Sequence, residues 1–177
     1  DAYKVEGNGD VRELLDGVGI VGTSTWAVFE ARKMLNATWD ERNANKDSWS
    51  AFTAFANQQG NVGAEVLHEQ GDVDSALEDP DNTVISSFYE YPYLSHLCLE
   101  PMNCTAHFRP GKAGAKDHIE MWLPTQSGPG FKKLAQERYG LDADQFTIHV
   151  KRMGGSFGRR TSGEYMCEAI ELSKLSG

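Results

Sequence analysis

Hydrophobic positions along the chain change period several times, and each change predicts an element. Val18-Gly19-Ile20-Val21 is a short apolar run of strand type. Thr23, Ser24 and Thr25 then offer N-caps for a helix to about Leu35, with Val28, Ala31 and Leu35 on one face. Ala37-Thr38-Trp39 predicts a second strand, which would complete a small β-α-β element. After a polar loop at 43–47, Ser48 can cap a short amphipathic helix carrying Trp49, Phe52 and Phe55. Residues 57–81 hold few large apolar side chains and several glycines, which predicts an extended connection.

The pattern changes at Thr83. Val84, Ile85, Phe88, Tyr89 and Tyr91 give 83–91 a strand composition. Segments 102–108 and 118–123 predict a strand pair across the turn-rich stretch 109–117. A helix over 131–139 should end at Gly140. Phe146, Ile148 and Val150 alternate with Thr147, His149 and Lys151, so 145–153 predicts a strand. A glycine-rich loop over 154–160 follows. Thr161 then opens a helix, with Glu164 three residues later in capping-box spacing. The order of elements predicts a mixed α and β architecture. A sheet of this kind usually needs further chain to cover it, so the reading expects a piece of a larger domain.

Composition narrows the function classes. The net charge of −9 across 177 residues argues against nucleic-acid binding, which needs a surplus of Lys and Arg. Acidic residues crowd 65–81, where Glu65, Glu69, Asp72, Asp74, Glu78, Asp79 and Asp81 predict a solvated connection. Lys151, Arg152, Arg159 and Arg160 crowd the glycine-rich loop, a combination that suits a bound anion. No apolar run approaches the ~18 residues of a membrane span. Three cysteines, Cys98, Cys104 and Cys167, do not make a disulfide framework.

Chemistry concentrates in three places. In Arg152-Met153-Gly154-Gly155-Ser156-Phe157-Gly158-Arg159-Arg160, glycines allow close backbone approach and Arg159 and Arg160 can fork onto phosphate or carboxylate oxygens. The same stretch matches Gly-x-Ser-x-Gly, which raises a serine hydrolase with Ser156 as nucleophile. Only 21 residues follow Ser156 and none is histidine, so a triad in the usual α/β-hydrolase order cannot be completed within the chain. His96, Cys98, Glu100, Cys104 and His107 form a second group with zinc-ligand chemistry but no common finger spacing; packed strand residues are the simpler reading. The third place is Trp122-Leu123-Pro124-Thr125-Gln126, a strand end that can point an amide into a cleft.

Four stretches in order, Tyr91-Pro92-Tyr93-Leu94-Ser95-His96, Leu99-Glu100-Pro101-Met102-Asn103-Cys104-Thr105-Ala106, Trp122-Leu123-Pro124-Thr125-Gln126 and Gly154-Gly155-Ser156-Phe157-Gly158-Arg159-Arg160, carry a resemblance. They resemble the molybdopterin-binding large subunit of the xanthine dehydrogenase/aldehyde oxidase family. The Glu-Pro-Met-Asn and Phe-Gly-Arg-Arg forms resemble its isoquinoline 1-oxidoreductase and membrane-associated aldehyde dehydrogenase branch. Val18 to Asp40 resembles the end of that family's hammerhead domain. The resemblance implies an α+β fragment: 1–45 ending a hammerhead-like domain, 46–82 connecting, and 83–177 beginning a molybdenum cofactor-binding domain.

The implied reaction is molybdenum-dependent hydroxylation of an aldehyde or N-heteroaromatic carbon with oxygen from water. Implied cofactors are molybdenum-molybdopterin, as the cytosine dinucleotide, and 2Fe-2S clusters on a partner. Implied partners are the rest of the large subunit, an iron-sulfur small subunit and, as a further candidate, a cytochrome c subunit. A bacterial periplasmic location is favoured over a cytoplasmic one. By motif match, Gln126 would hydrogen-bond an apical oxygen of the molybdenum, and Phe157 and Gly158 would offer N–H groups near its ligands. Gly154, Gly155, Ser156, Arg159 and Arg160 would complete the cofactor-facing loop. The family's base, a glutamate, is expected beyond Gly177, so this chain would hold no catalytic residue, no direct metal ligand and no activity alone. Thr161 stands where purine-oxidising members carry an acid, and Ser156 replaces the third glycine of the usual run. A non-catalytic binding or assembly module remains the other alternative.

Overall fold

A computed structural model describes residues 1–59 and 65–177, and within it the chain forms two compact units. One comprises Asp1–Leu35 with Leu94–Gly177; the other is Asn36–Tyr93. The expected mixture of helix and strand is present in the order β1 (Ala2–Val5), β2 (Gly17–Ile20), α1 (Thr25–Met34), α2 (Trp49–Gln59), α3 (Val73–Glu78), β3 (Thr105–Arg109), β4 (His118–Leu123), α4 (Gly128–Tyr139), β5 (Phe146–Val150) and α5 (Glu164–Ser176).

In the first unit, β4 is the central strand of a three-stranded sheet. It pairs antiparallel with β3 and parallel with β5, in the order β3-β4-β5. The strict alternation of β4 decides its faces. Ile119, Met121 and Leu123 are buried, while His118, Glu120 and Trp122 lie on the other face. Helices α4 and α5 supply most of the rest of the core, through Phe131 and Ala135 and through Tyr165, Met166, Cys167 and Ile170, joined by Phe146 of β5, Val5 of β1 and Leu14. Parallel neighbours cannot be joined by a tight turn, and α4 is the crossover between β4 and β5. Its end is set by Gly140 at φ 63, a left-handed position that favours glycine. At the start of α5, an added Cβ on Gly163 would lie 2.3 Å from the Leu134 side chain of α4, so a larger residue there would push Leu134 out of its place.

A short antiparallel pair, β1 with β2, precedes α1 and was half-seen in the sequence, which predicted β2 alone. Ser24 caps α1 as expected, its side chain accepting from the Ala27 N–H at 3.2 Å. Ala37-Thr38-Trp39 forms no strand, so the local order is β-β-α rather than β-α-β. The cause is composition: three residues flanked by Asn36 and Asp40, with Trp39 exposed, offer no alternating face to bury.

The second unit contains α2, capped by Ser48 through its Oγ and the Ala51 N–H at 3.2 Å. Trp49 and Phe52 pack with Tyr93, each at 5.2 Å between ring centroids. The expected connection contains a short helix, α3, because Asp72 accepts from both the Ser75 N–H and its hydroxyl. Its stretch 60–64 lies outside the described residues. The expected strand over 83–91 does not form. Ile85 and Phe88 are 87% and 74% exposed, and strand composition without a neighbouring strand cannot hold an extended ladder.

All three cysteines are free. Burial pushes the Cys104 thiol up to about 12 and the Cys167 thiol up to about 11. Iodoacetamide at roughly neutral pH should therefore leave both unmodified in the folded chain and label them after unfolding, read by mass spectrometry. Rapid native labelling of Cys167 would contradict this packing.

Candidate functional site

Because β4 and β5 are parallel and in register from Ile119↔Phe146 to Leu123↔Val150, their C-terminal ends open on one sheet edge. In sheets with parallel strands, that edge is where ligands sit. Gln126 follows β4 and the Gly154–Arg160 loop follows β5, so topology alone brings the two motifs together. The contact is direct: the Ser156 hydroxyl donates to Gln126 Oε1. The Gln126 N–H also donates to the Arg160 carbonyl at 3.2 Å.

The turn after β4 is pinned from within. Thr125 is buried; its hydroxyl donates to the Arg160 carbonyl at 3.3 Å, and its Oγ1 accepts from the Ser127 N–H at 3.0 Å. Tyr165 of α5 donates to the Pro124 carbonyl at 2.7 Å. The Gln126 side chain projects from this fixed base and is exposed. With its oxygen committed to Ser156, its Nε2 is left as the donor facing out.

The glycine-rich loop has an unusual backbone. Gly155 (φ 103), Phe157 (φ 53) and Gly158 (φ 89) all lie in the left-handed half of conformational space. Glycine adopts it freely; phenylalanine does not. Phe157 is also 75% exposed, so packing of its ring does not hold this conformation. Strained positions of this kind collect at ligand clamps, where surrounding structure enforces them. Turns at Arg159 N–H to Ser156 O (3.0 Å) and Thr161 N–H to Gly158 O (3.1 Å) close the loop. Among the described residues, the N–H groups of Phe157 and Gly158 have no acceptor.

The two arginines are placed differently from each other. Arg159 pairs with Glu164 in the first turn of α5. Arg160 is fully buried: its Nε donates to the Gly155 carbonyl at 2.9 Å and its Nη2 to the Glu100 carboxylate at 2.8 Å. The expected capping box is absent. Thr161 donates instead to the Gly158 carbonyl at 2.6 Å, Glu164 is drawn to Arg159, and α5 begins at Glu164 with Gly163 as its cap.

Glu100 is the participant that sequence reasoning did not assign to the loop. Its carboxylate accepts from the Gly154 N–H at 2.7 Å, and that bond, with Asn103 and Arg160 nearby, holds it below the usual carboxylate range. Gly154 has to be glycine, since a Cβ there would lie 2.6 Å from the Glu100 Cβ. Cys98 adds a weak contact, its Sγ 3.5 Å from the Ser156 carbonyl. The only available signal was an acidic residue in one motif and a buried-type partner, Arg160, in another, with no spacing to link them.

The suggested metal grouping of His96, Cys98, Glu100, Cys104 and His107 does not converge; no group of three such ligands occurs among the described residues. Cys98 and Glu100 turn to the loop, Cys104 packs against the core, and His107 lies on the exposed side of β3. Nor does Ser156 have a base among the described residues. Its hydroxyl is given to an amide, and His149 stacks on Trp122 at 5.1 Å while bonding Glu120 at 2.9 Å. No helix among the described residues is long and apolar enough to cross a membrane.

Comparison with known proteins places the chain in a family. The family described as "Molybdopterin cofactor-binding domain" matches residues 45–173. "Isoquinoline 1-oxidoreductase subunit beta" of Brevundimonas diminuta is 26% identical over 185 residues, covering 99% of this chain and 23% of the relative. "Xanthine dehydrogenase/oxidase" of Rattus norvegicus is 29% identical over 118 residues, 66% of this chain and 8% of the relative. The mouse protein of that name is 30% identical over 112 residues. The chain thus spans about a quarter or less of these relatives' lengths. No solved structure matches it.

A fluorophosphonate probe should leave Ser156 unlabelled, because nothing beside its hydroxyl can remove the proton. Covalent labelling that Ser156→Ala abolishes would restore the hydrolase reading.

Proposed function

The chain belongs to the molybdopterin cofactor-binding domain family, and on that premise we propose that Gln126 and the Gly154–Gly158 loop form one wall of the cofactor cleft in the large subunit of a molybdenum hydroxylase. The observation that carries the proposal is the meeting of the two motifs on one sheet edge, with Ser156 hydrogen-bonded to Gln126.

The residues present suit such a group. Three donors at that edge have no acceptor among the described residues: the Gln126 amide nitrogen and the N–H groups of Phe157 and Gly158. Donors are what the electronegative ligands of a molybdenum centre and the oxygens of a pterin dinucleotide require. An absent Cβ at Gly158 leaves the backbone there open to close approach, with nothing else within 4 Å of that position. When bound, the group would supply a redox centre that takes two electrons from substrate while oxygen from water enters it.

The chain's own part is binding and orientation. Gln126 fixes a donor direction because its oxygen is tied to Ser156. The strained loop presents its N–H groups without reorganisation, which favours electrostatic complementarity in a water-poor cleft. Arg159, neutralised by Glu164, stiffens the start of α5 beside the loop. Arg160 contributes from inside the fold.

The finer assignments follow the same reading. Residues 1–45 would end a hammerhead-like domain, a reading that the family match starting at residue 45 supports, while Asp1–Leu35 packs in one compact unit with Leu94–Gly177. The match also runs through 46–82, which supports counting that connection with the cofactor-binding domain. Substrates would be aldehydes or N-heteroaromatics, with the cytosine dinucleotide cofactor, a base glutamate elsewhere in the large subunit, and 2Fe-2S clusters and a cytochrome c on partner subunits. Similarity to an isoquinoline oxidoreductase subunit along nearly the whole chain supports the N-heteroaromatic class.

The test uses the complete purified subunit with its partners. Gly158→Val should block backbone approach and lose molybdenum, measured by elemental analysis. Gln126→Ala should keep the fold and slow turnover on the order of 10- to 100-fold, the loss of one oriented donor to a buried ligand. Full molybdenum in Gly158→Val together with full turnover in Gln126→Ala would remove this assignment.

A further inference from the structure

We infer that Glu100 is a positioning residue that, through buried Arg160 and the Gly154 N–H, presets the glycine-rich loop before any cofactor arrives. The inference rests on the cofactor-wall reading and extends it to a residue lying 54 positions before the loop.

The loop's conformation needs an external cause. Phe157 holds φ 53 with its ring 75% exposed, so neither intrinsic preference nor packing of that ring accounts for it. What constrains it lies at its two ends. At the start, Glu100 and Gly154 bond each other twice: the Gly154 N–H donates to the carboxylate at 2.7 Å, and the Glu100 N–H donates to the Gly154 carbonyl at 3.4 Å. At the end, Arg160 reaches back under the loop. Its Nε holds the Gly155 carbonyl, and its Nη2 reaches the Glu100 carboxylate and the Glu100 carbonyl at 3.0 Å. The Arg160 carbonyl in turn accepts from the Gln126 N–H and the Thr125 hydroxyl. One residue therefore joins the loop's beginning, its end and the Gln126 strand end, and among the described residues Glu100 is the only carboxylate on its guanidinium.

Stability alone is a poor explanation for this arrangement. Arg160 is fully buried and its Nη1 has no partner among the described residues. A buried guanidinium with an unmet donor gains less than an apolar side chain of similar size would. What arginine offers and an apolar side chain cannot is a planar fork that fixes directions at several acceptors at once.

The experiment compares Glu100→Ala and Glu100→Gln in the complete subunit, prepared with and without molybdate, with Gly158→Val alongside. The readouts are hydrogen exchange of the hydrogen-bonded Arg159 and Thr161 amides that close the loop, in cofactor-free protein, and molybdenum content of the loaded protein. Glu100→Ala should speed exchange of the loop about tenfold or more, leaving β4 and α5 unchanged, and should lower molybdenum content. Glu100→Gln should recover part of both, since its amide oxygen still accepts from Gly154 and Arg160. Unchanged loop exchange in Glu100→Ala would overturn the inference, as would faster exchange spread evenly over the subunit. If Glu100→Ala matches wild type while Gly158→Val loses molybdenum, the cofactor wall stands and the positioning role falls. If the loop loosens but neither variant loses molybdenum, the cofactor reading itself fails and the inference with it.

Discussion

The candidate site depends on one buried cation. Arg160 sits where no water reaches it, and its side chain and carbonyl bond residues from three separate stretches: Glu100 and Pro101, Thr125 and Gln126, and Gly155. Removing one member of such a cluster leaves others buried and unpaired, so the cluster holds as a unit. The strained backbone at Phe157 is the visible consequence. A loop of this composition, free in solution, would sample many conformations, and most would not hold Gly155, Phe157 and Gly158 at positive φ together.

The sheet supplies the other constraint. Parallel pairing of β4 with β5 requires a crossover, and α4, packed through Phe131 and Ala135, is that crossover. Once it forms, the segments after the two strands must leave from the same edge. The position of the site is thus a property of topology, and its shape is a property of the Arg160 cluster. Topology explains why Gln126 and Ser156 meet. The cluster explains why Gly154 cannot carry a side chain; α5 starts two residues later than a capping box at Thr161 would place it because Arg159 and the Gly158 carbonyl take Glu164 and Thr161.

Much of this was legible in the sequence where periodicity and punctuation agree. Strands β4 and β5, α4 with its Gly140 stop, and the Ser24 and Ser48 caps all follow local rules that need no partner. The failures share a cause. Residues 83–91 and 37–39 have strand-type side chains but no neighbouring strand among the described residues, and a ladder cannot be read from one strand. Thr161 and Glu164 have capping-box spacing, yet nearby Arg159 and the Gly158 carbonyl compete successfully for both. Glu100 was visible as a motif residue and as a possible ligand. Its pairing with Arg160 spans 60 positions and leaves no spacing signal.

The loop is preformed, and a high-resolution structure of the complete subunit purified without cofactor tests that. That cofactor-free state should show Phe157 at positive φ, the Glu100–Arg160 pair intact and Ser156 bonded to Gln126. A loop with Phe157 at negative φ and Arg160 withdrawn from Glu100, reaching the present conformation only when cofactor is bound, would contradict it.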